Sequence, residues 1–354
     1  MCIGDCKMND NRILPPKTSY PNLDIAKFVC SLLVIVIHTG PFRKYPVADF
    51  YSCEVMARIA VPLFFGISGF LLFGRMTYEN GRLVDCPKNR TRMLRYVKKT
   101  IRLYVVWFVL TLLSMLPQWY LNGWWGLVAV KDAIYSFLCA GPLHLWYLLD
   151  LIWAVPLMYV FLRFFSLRTL QVAAAVLWVT QCLDNSYSWL IGNRAVTLYP
   201  IFLRFRVLVS TLHNALPMIV FGASIAIDRR ECKPEMRLRR FLLASGIWFL
   251  EATALYFSNL NQGNYSAVLI APFWVYAALD FLTGAKQIPI STSTQYMLRE
   301  MSLTIYCLHP LLIKFLELMN IDYGFLRWIL ITTVTVSIAY VWIRYKNKAA
   351  PAKS

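Results

Sequence analysis

The sequence predicts an all-α fold: a polytopic integral membrane bundle of about ten transmembrane helices with both termini cytoplasmic. Three observations carry that expectation. Of 354 residues, 58% are hydrophobic and 15% charged, whereas a soluble domain carries roughly 25% charged residues. Uncharged apolar stretches recur along the whole chain, each near the ~20 residues that cross ~30 Å of hydrocarbon as a helix. Runs such as Leu33–Ile37 do not alternate in polarity, which excludes the strands of a membrane barrel. The apolar fraction excludes disorder, and nine scattered cysteines exclude a disulfide scaffold. The net charge of +18 falls in segments between spans, so it is read as topology rather than as a nucleic-acid surface.

Taken in order, the spans are expected at 23–42, 56–74, 101–118, 143–162, 169–184, 207–227, 241–258, 266–284, 301–319 and 325–345. The fifth is short, and the ninth is interrupted by Lys314. With the N-terminus inside, 27 of the 36 Lys and Arg fall in cytoplasmic segments. The opposite orientation would invert that bias, against the positive-inside rule. The aromatic run from Trp119 to Trp125 then sits at the outer boundary, as an aromatic belt does. The first span is expected to be a retained helix, since no small-x-small cleavage site follows it. A single domain over 1–354 is expected, with an N-tail at 1–22 and a C-tail at 346–354. The outer loops 119–142 and 185–206 are the largest external segments. Cys53 and Cys139 lie on the expected outer face, leaving one external disulfide open, although free thiols packed as small hydrophobes are the commoner state. Cys2, Cys6, Cys86 and Cys232 fall in cytoplasmic segments. No CxxC or His/Cys spacing provides a metal site. Gly222-x-x-x-Ala226 permits close helix contact.

Ionisable groups at membrane depth are costly and point to function. The first span carries Asp24, Lys27 and, eleven residues further on, His38. Eleven residues at ~100° return to within about 20° of the starting direction, so Lys27 and His38 share a face about 16.5 Å apart along the axis. Asp24 joins that stripe as a partner for Lys27. The competing reading is a snorkelling interfacial lysine plus one hydrogen-bonded histidine. His144 begins span four, His213 lies beside Asn214 in span six, and His309 precedes Pro310, which perturbs the helix and frees backbone carbonyls. Each alone reads as structural, yet all four histidines fall within or at the edge of spans. Asp150 and Glu251 are intramembrane carboxylates with no basic neighbour in their own helix; pairing with a histidine would make an acid/base couple. The basic cytoplasmic loop over Arg90, Arg92, Arg95, Lys98, Lys99 and Arg102 is read either as topology signalling and attraction to anionic lipid, at ~1 kcal/mol per residue, or as a seat for a polyanionic cytosolic ligand.

Together these residues resemble the acyltransferase-3 family of integral-membrane O-acyltransferases. The resemblance rests on Leu23-Asp24-x-x-Lys27-x10-His38, Val61-Pro-Leu-Phe-Phe-Gly-Ile-Ser68-Gly69-Phe, Lys99-x-x-Arg102, His144-Leu-Trp-Tyr147 and Ser302-Leu-Thr-Ile-Tyr306-Cys-Leu-His309-Pro310. It implies a cell-membrane enzyme that takes an acyl group from cytosolic acyl-CoA, commonly acetyl-CoA, and delivers it to a hydroxyl of an extracytoplasmic envelope glycan or lipid-linked sugar. It implies His38 as catalytic residue with Lys27, and Lys99 and Arg102 beside the donor. Many members carry Arg where Lys27 and Lys99 stand, which forgoes the bidentate fork of a guanidinium, and Asp150 is outside the motif. The family also includes the membrane module of vancomycin-resistance-type serine racemases, linked to amino-acid uptake.

The residues support a concrete scheme. Lys99 and Arg102, with Arg95, hold the acyl-CoA phosphates; Lys27 and Asp24 define the entrance for pantetheine. His38 acts as general base or transiently accepts the acyl group. His144, Tyr147, Tyr306 and His309 orient the acceptor or stabilise the oxyanion. A bound cofactor and a metal are not expected; acyl-CoA is a substrate, and the partners are the lipid bilayer and the glycan acceptor, with no nucleic acid. Two alternatives stay open: a transporter of a small amino acid such as serine, and a membrane sensor or scaffold without turnover.

Overall fold

The computed structural model describes residues 19–191, 206–228, 232–258, 260, 267–321 and 324–349. Cys2, Cys6 and the N-tail to residue 18, the outer loop from 192 to 205, and residues 350–354 of the C-tail lie outside the described residues.

The fold is all-α, as expected. In chain order the principal helices are α1 (Pro21–Thr39), α2 (Pro46–Phe73), α3 (Pro87–Leu121), α4 (Leu127–Tyr135), α5 (Trp146–Phe164), α6 (Leu167–Asp184), α7 (Val207–Asp228), α8 (Pro234–Ser258), α9 (Ala271–Gly284), α10 (Thr292–Leu318) and α11 (Phe325–Ala349). A two-stranded antiparallel ribbon, β1 (Tyr78–Glu79) and β2 (Arg82–Leu83), joins α2 to α3. Each expected span contains a helix. Among the described residues eight are long and apolar enough to cross a membrane: α1, α2, α3, α5, α7, α8, α10 and α11. The other two differ for physical reasons. The 14 residues of α9 rise only about 21 Å at ~1.5 Å each, short of ~30 Å of hydrocarbon. The 18 residues of α6 include Arg168, Gln171, Gln181 and Asp184, which dilute its apolar character.

Two other segments differ from expectation. The basic stretch before span three is not a loop: α3 starts at Pro87 and runs 35 residues without a break, proline being well suited to a first helical turn. Arg95, Lys99 and Arg102 therefore lie at i, i+4 and i+7, on one helical face. Span four starts later than expected. Gly141 (φ 60°) and Leu143 (φ 55°) adopt left-handed conformations, so His144 sits in a tight turn ahead of α5. A Cβ at Gly141 would run into the Trp146 backbone.

The core is built on close helix pairs. On α2 and α7, a Cβ at Gly222 would meet the Gly66 carbonyl, and one at Gly69 would meet the Ile219 backbone. The small-residue face at Gly222 and Ala226 is thus spent inside the chain. Helices α1, α10 and α11 pack through Ile35, Met301, Ile305, Ile313, Ile331 and Ala339. Asn22 anchors the start of α1: its amide donates to the carbonyls of Leu282 (3.1 Å) and Lys286 (3.3 Å) and accepts from Ile288 N–H (3.0 Å). Where α3 begins and α5 ends, Asp85 accepts from Tyr159 (2.9 Å), Arg90 (3.0 Å) and Arg163 (3.0 Å). That tyrosine bond and the two guanidinium groups hold the Asp85 carboxyl below its usual range. Every described cysteine is a free thiol, including Cys53 and Cys139.

Candidate active site

Three of the four histidines converge. His38 lies in the last turn of α1, which Gly40 closes in a left-handed conformation (φ 51°). His309 lies in mid-α10, and His144 in the turn before α5. The His309 ring centroid is 5.4 Å from that of His38 and 5.4 Å from that of His144. His309 and His144 are buried, whereas His38 is exposed. The cluster thus has one accessible imidazole backed by two sealed ones. Arg58, held by Glu54 at 2.9 and 3.0 Å, is close enough to His38 to act on it electrostatically.

Local structure fixes His309. Pro310 sits inside α10 without breaking it. Having no N–H, it leaves the Tyr306 carbonyl without its usual helical donor. That carbonyl is within reach of the His309 ring, and Nδ1 lies 3.1 Å from the Ile305 carbonyl. A carbonyl only accepts, so Nδ1 carries the proton and Nε2 the lone pair. Tyr306 donates to the His144 carbonyl (2.7 Å) and packs edge-on against its ring at 5.2 Å. It thereby pins the strained turn to α10.

At the other end of α1, Lys27 forms an ion pair with Asp24 at 2.7 Å, and Arg299 lies 3.7 Å from the same carboxylate. The Ser302 hydroxyl donates to the Lys27 carbonyl (2.9 Å). Lys99 is near enough to act on Lys27 by its charge. Arg95, Lys99 and Arg102 are exposed, so α3 presents a cationic face beside this entrance. Among the described residues Asp24 is the one carboxylate paired with a cation of this group.

A line of side chains joins the two ends. Tyr96, one turn before Lys99, lies near enough to Ser68 to act on it. Ser68 lies 3.5 Å from the Tyr147 hydroxyl, and Tyr147 packs on Tyr306 at 5.4 Å. Tyr306 contacts His144 and His309. Cys30 and Cys307 flank Tyr147. Hydroxyls and soft sulfurs thus run from the cationic face to the imidazoles through an otherwise apolar bundle.

The intramembrane carboxylates have other partners. Asp150 accepts from the hydroxyls of Ser210 (2.6 Å) and Thr211 (3.2 Å), one on each carboxylate oxygen. Glu251 accepts from Tyr187 (2.7 Å) and from the N–H groups of Leu269 and Ile270. It therefore caps the start of α9, where a helix favours negative charge. The pairing of either with a histidine is not what the structure shows. His213, whose Nδ1 is 3.1 Å from the Val209 carbonyl, takes no part in the cluster. Sequence reasoning passed over Arg58, Tyr96 and Arg299. The last was legible: Arg299, Ser302, Tyr306 and His309 fall at i, i+3, i+7 and i+10, one stripe of α10.

Residues 20–344 match the acyltransferase domain family, acyltransferase-3. The chain belongs to that family. Eight apolar helices long enough to cross a bilayer accompany that membership, which fits a multi-pass membrane protein. An amino-acid racemase of Enterococcus faecalis is 28% identical over 176 residues, 48% of this chain and 22% of the relative. A second amino-acid racemase of that species is 30% identical over 128 residues, 35% of this chain and 17% of the relative. A serine/alanine racemase of Enterococcus gallinarum is 28% identical over 128 residues, again 35% of this chain and 17% of the relative. The chain spans about a fifth of the length of these curated relatives. No solved structure matches it.

Proposed function

We propose that this acyltransferase-3 protein is an acyl-CoA-dependent O-acyltransferase of the cell membrane, with both termini cytoplasmic. It moves an acyl group, acetyl in the simplest case, from cytosolic acyl-CoA to a hydroxyl of an extracytoplasmic envelope glycan or lipid-linked sugar. The observation that carries this reading is the placement of an accessible His38 against His309, joined to the cationic face of α3 by Tyr96, Ser68, Tyr147 and Tyr306.

Arg95, Lys99 and Arg102 bind the nucleotide phosphates, each charge-assisted contact contributing about 1.5–3 kcal/mol. Lys27, oriented by Asp24, flanks the pantetheine arm where it leaves the cytosol. The thioester then lies along the Tyr147–Tyr306 line, where apolar packing excludes water and limits hydrolysis. His38 takes the proton of the acceptor hydroxyl as its oxygen attacks the thioester carbonyl.

Purified protein in nanodiscs with labelled acetyl-CoA, together with mass spectrometry of envelope glycans from cells with and without the chain, tests the reading. His38→Ala should lower transfer at least 100-fold while leaving membrane insertion intact; full retention would falsify the scheme. The names of the racemase relatives favour a second reading, in which a small amino acid such as serine is acceptor or cargo. Uptake of labelled serine by vesicles, with no consumption of acetyl-CoA, would replace the first reading by that one.

A further inference from the structure

Acyl transfer from a thioester to an alcohol moves one proton from oxygen to sulfur. In a Ser-His-Asp site a carboxylate stands behind the histidine that handles it. No carboxylate acts on the rings of His38, His144 or His309 among the described residues. Behind His38 stand two more imidazoles.

Their hydrogen bonding is unusual for structural histidines. His309 spends Nδ1 on the Ile305 carbonyl, and its Nε2 is buried without a partner. Both ring nitrogens of His144 are also buried and unpartnered, at 2% exposure for the residue. An unmade bond at a buried polar atom costs about 1–3 kcal/mol, and a histidine kept for packing satisfies at least one nitrogen. His144 satisfies neither, while its turn is held in a left-handed backbone at Leu143 and pinned by Tyr306. Strain and unsatisfied polar groups concentrate where function retains them. The centroid spacing of 5.4 Å between His38 and His309 lets modest ring rotation bring His309 Nε2 to the ~3 Å of a hydrogen bond with His38, while His144 packs at 5.4 Å on the other side.

We propose that His309 extends His38 into a two-imidazole relay that holds the acceptor's proton during acyl transfer, with His144 packed against His309 as a positioning residue. This rests on the acyl-transfer reading above. As the O–C bond forms, the acceptor proton passes to His38, and His309 Nε2 takes a share of it. The proton stays on His38 and His309 while the tetrahedral carbon stands. It passes to the CoA sulfur as the C–S bond breaks. One bond forms, one breaks, and the proton that leaves oxygen ends on sulfur. His38 touches the substrate; His309 and His144 act through it.

The test uses the full chain in nanodiscs, with acetyl-CoA as donor and glycerol as a small polyol acceptor. A wild-type chain that neither transfers to glycerol nor hydrolyses acetyl-CoA overturns the acyl-transfer reading, and the relay with it. Given wild-type turnover, His309→Asn is the decisive variant. Its amide nitrogen replaces Nδ1 at the Ile305 carbonyl, but nothing replaces Nε2. The relay requires kcat to fall at least 100-fold, with KM for acetyl-CoA within twofold, an unchanged melting temperature and partial recovery in added imidazole. A kcat within threefold of wild type, or a loss carried by KM, overturns it. His144→Gln breaks no side-chain hydrogen bond present in the fold, so it provides the second arm should His309→Asn lower the melting temperature. Because His144 positions the His309 ring, its loss must lower kcat at least tenfold with KM for acetyl-CoA unchanged, and retention of turnover there overturns the arrangement independently.

Discussion

At the scale of single residues, the candidate site is divided between two helix stripes. Lys27 and His38 on α1 are eleven residues apart, a spacing that any reader of the sequence can place on one face. Their partners on α10 follow the same logic, and Arg299 escaped notice only because it was counted as a topology charge. His144 shows the limit of pattern reading: its place depends on a turn with two left-handed residues, which no apolar periodicity encodes. Asp150 and Glu251 show another limit. An intramembrane carboxylate announces itself in sequence, but whether it meets a histidine, hydroxyls or a helix N-terminus is decided by distant elements. Tyr306→Phe removes the bond to the His144 carbonyl and keeps the ring. It should lower kcat about tenfold, ~1.4 kcal/mol of barrier, with KM for acyl-CoA unchanged. Steady-state kinetics on the purified variant check this, and unchanged kcat would mean that the turn holds its shape without the hydroxyl.

At the scale of elements, helix existence was legible and helix extent was not. Hydropathy marks the lipid-crossing part of α3 well, but its 35-residue length comes from a polar, basic continuation that hydropathy reads as loop. The 14-residue α9 erred in the opposite direction, since neighbouring apolar residues in the turn before it lengthened the expected span. The α2–α7 contact is the most demanding in the bundle because backbone meets backbone at Gly66, Gly69 and Gly222. Gly222→Leu forces those helices apart; overpacking of this kind costs about 1–3 kcal/mol and occasionally more. A fall in melting temperature of the detergent-solubilised protein is the expected result. Where α3 begins and α5 ends, the depressed Asp85 carboxyl stabilises the fold at neutral pH. That contribution fades as acidification carries the solution through its folded value, below the ordinary carboxylate range near 4. Asp85→Asn should therefore narrow the stability difference between pH 7 and pH 3, measured by thermal melts at both.

At the scale of the whole molecule, basic charge gathers where α1, α3 and α10 meet, around Lys27, Lys99 and Arg299. Arg95, Lys99 and Arg102 are exposed along one face, where salt screens them over a Debye length of about 8–10 Å. The triple alanine variant should raise KM for acyl-CoA at least tenfold in low salt. It should also flatten the dependence of KM on ionic strength, while kcat at saturating donor stays within threefold. Donor titrations at 50 and 500 mM salt read both effects, and an unchanged KM would assign these cations to lipid headgroups instead. Reporter fusions at the two ends check the expected orientation; activity of a cytosolic reporter at both is the predicted outcome.

Helices α1 and α10 meet twice: at Lys27 with Ser302, and at His38 with His309. In both helices the later residue marks the same end, so the two run side by side in the same direction. They behave like two rulers laid edge to edge and locked at two graduations. Sliding one by a single turn, about 5.4 Å, would undo the lock at Ser302 and misalign the rings in the same motion. Under the proposed function, donor entrance and proton chemistry share one mechanical adjustment, and a bulky residue at Ser302 should be felt at His38, far from where it was introduced.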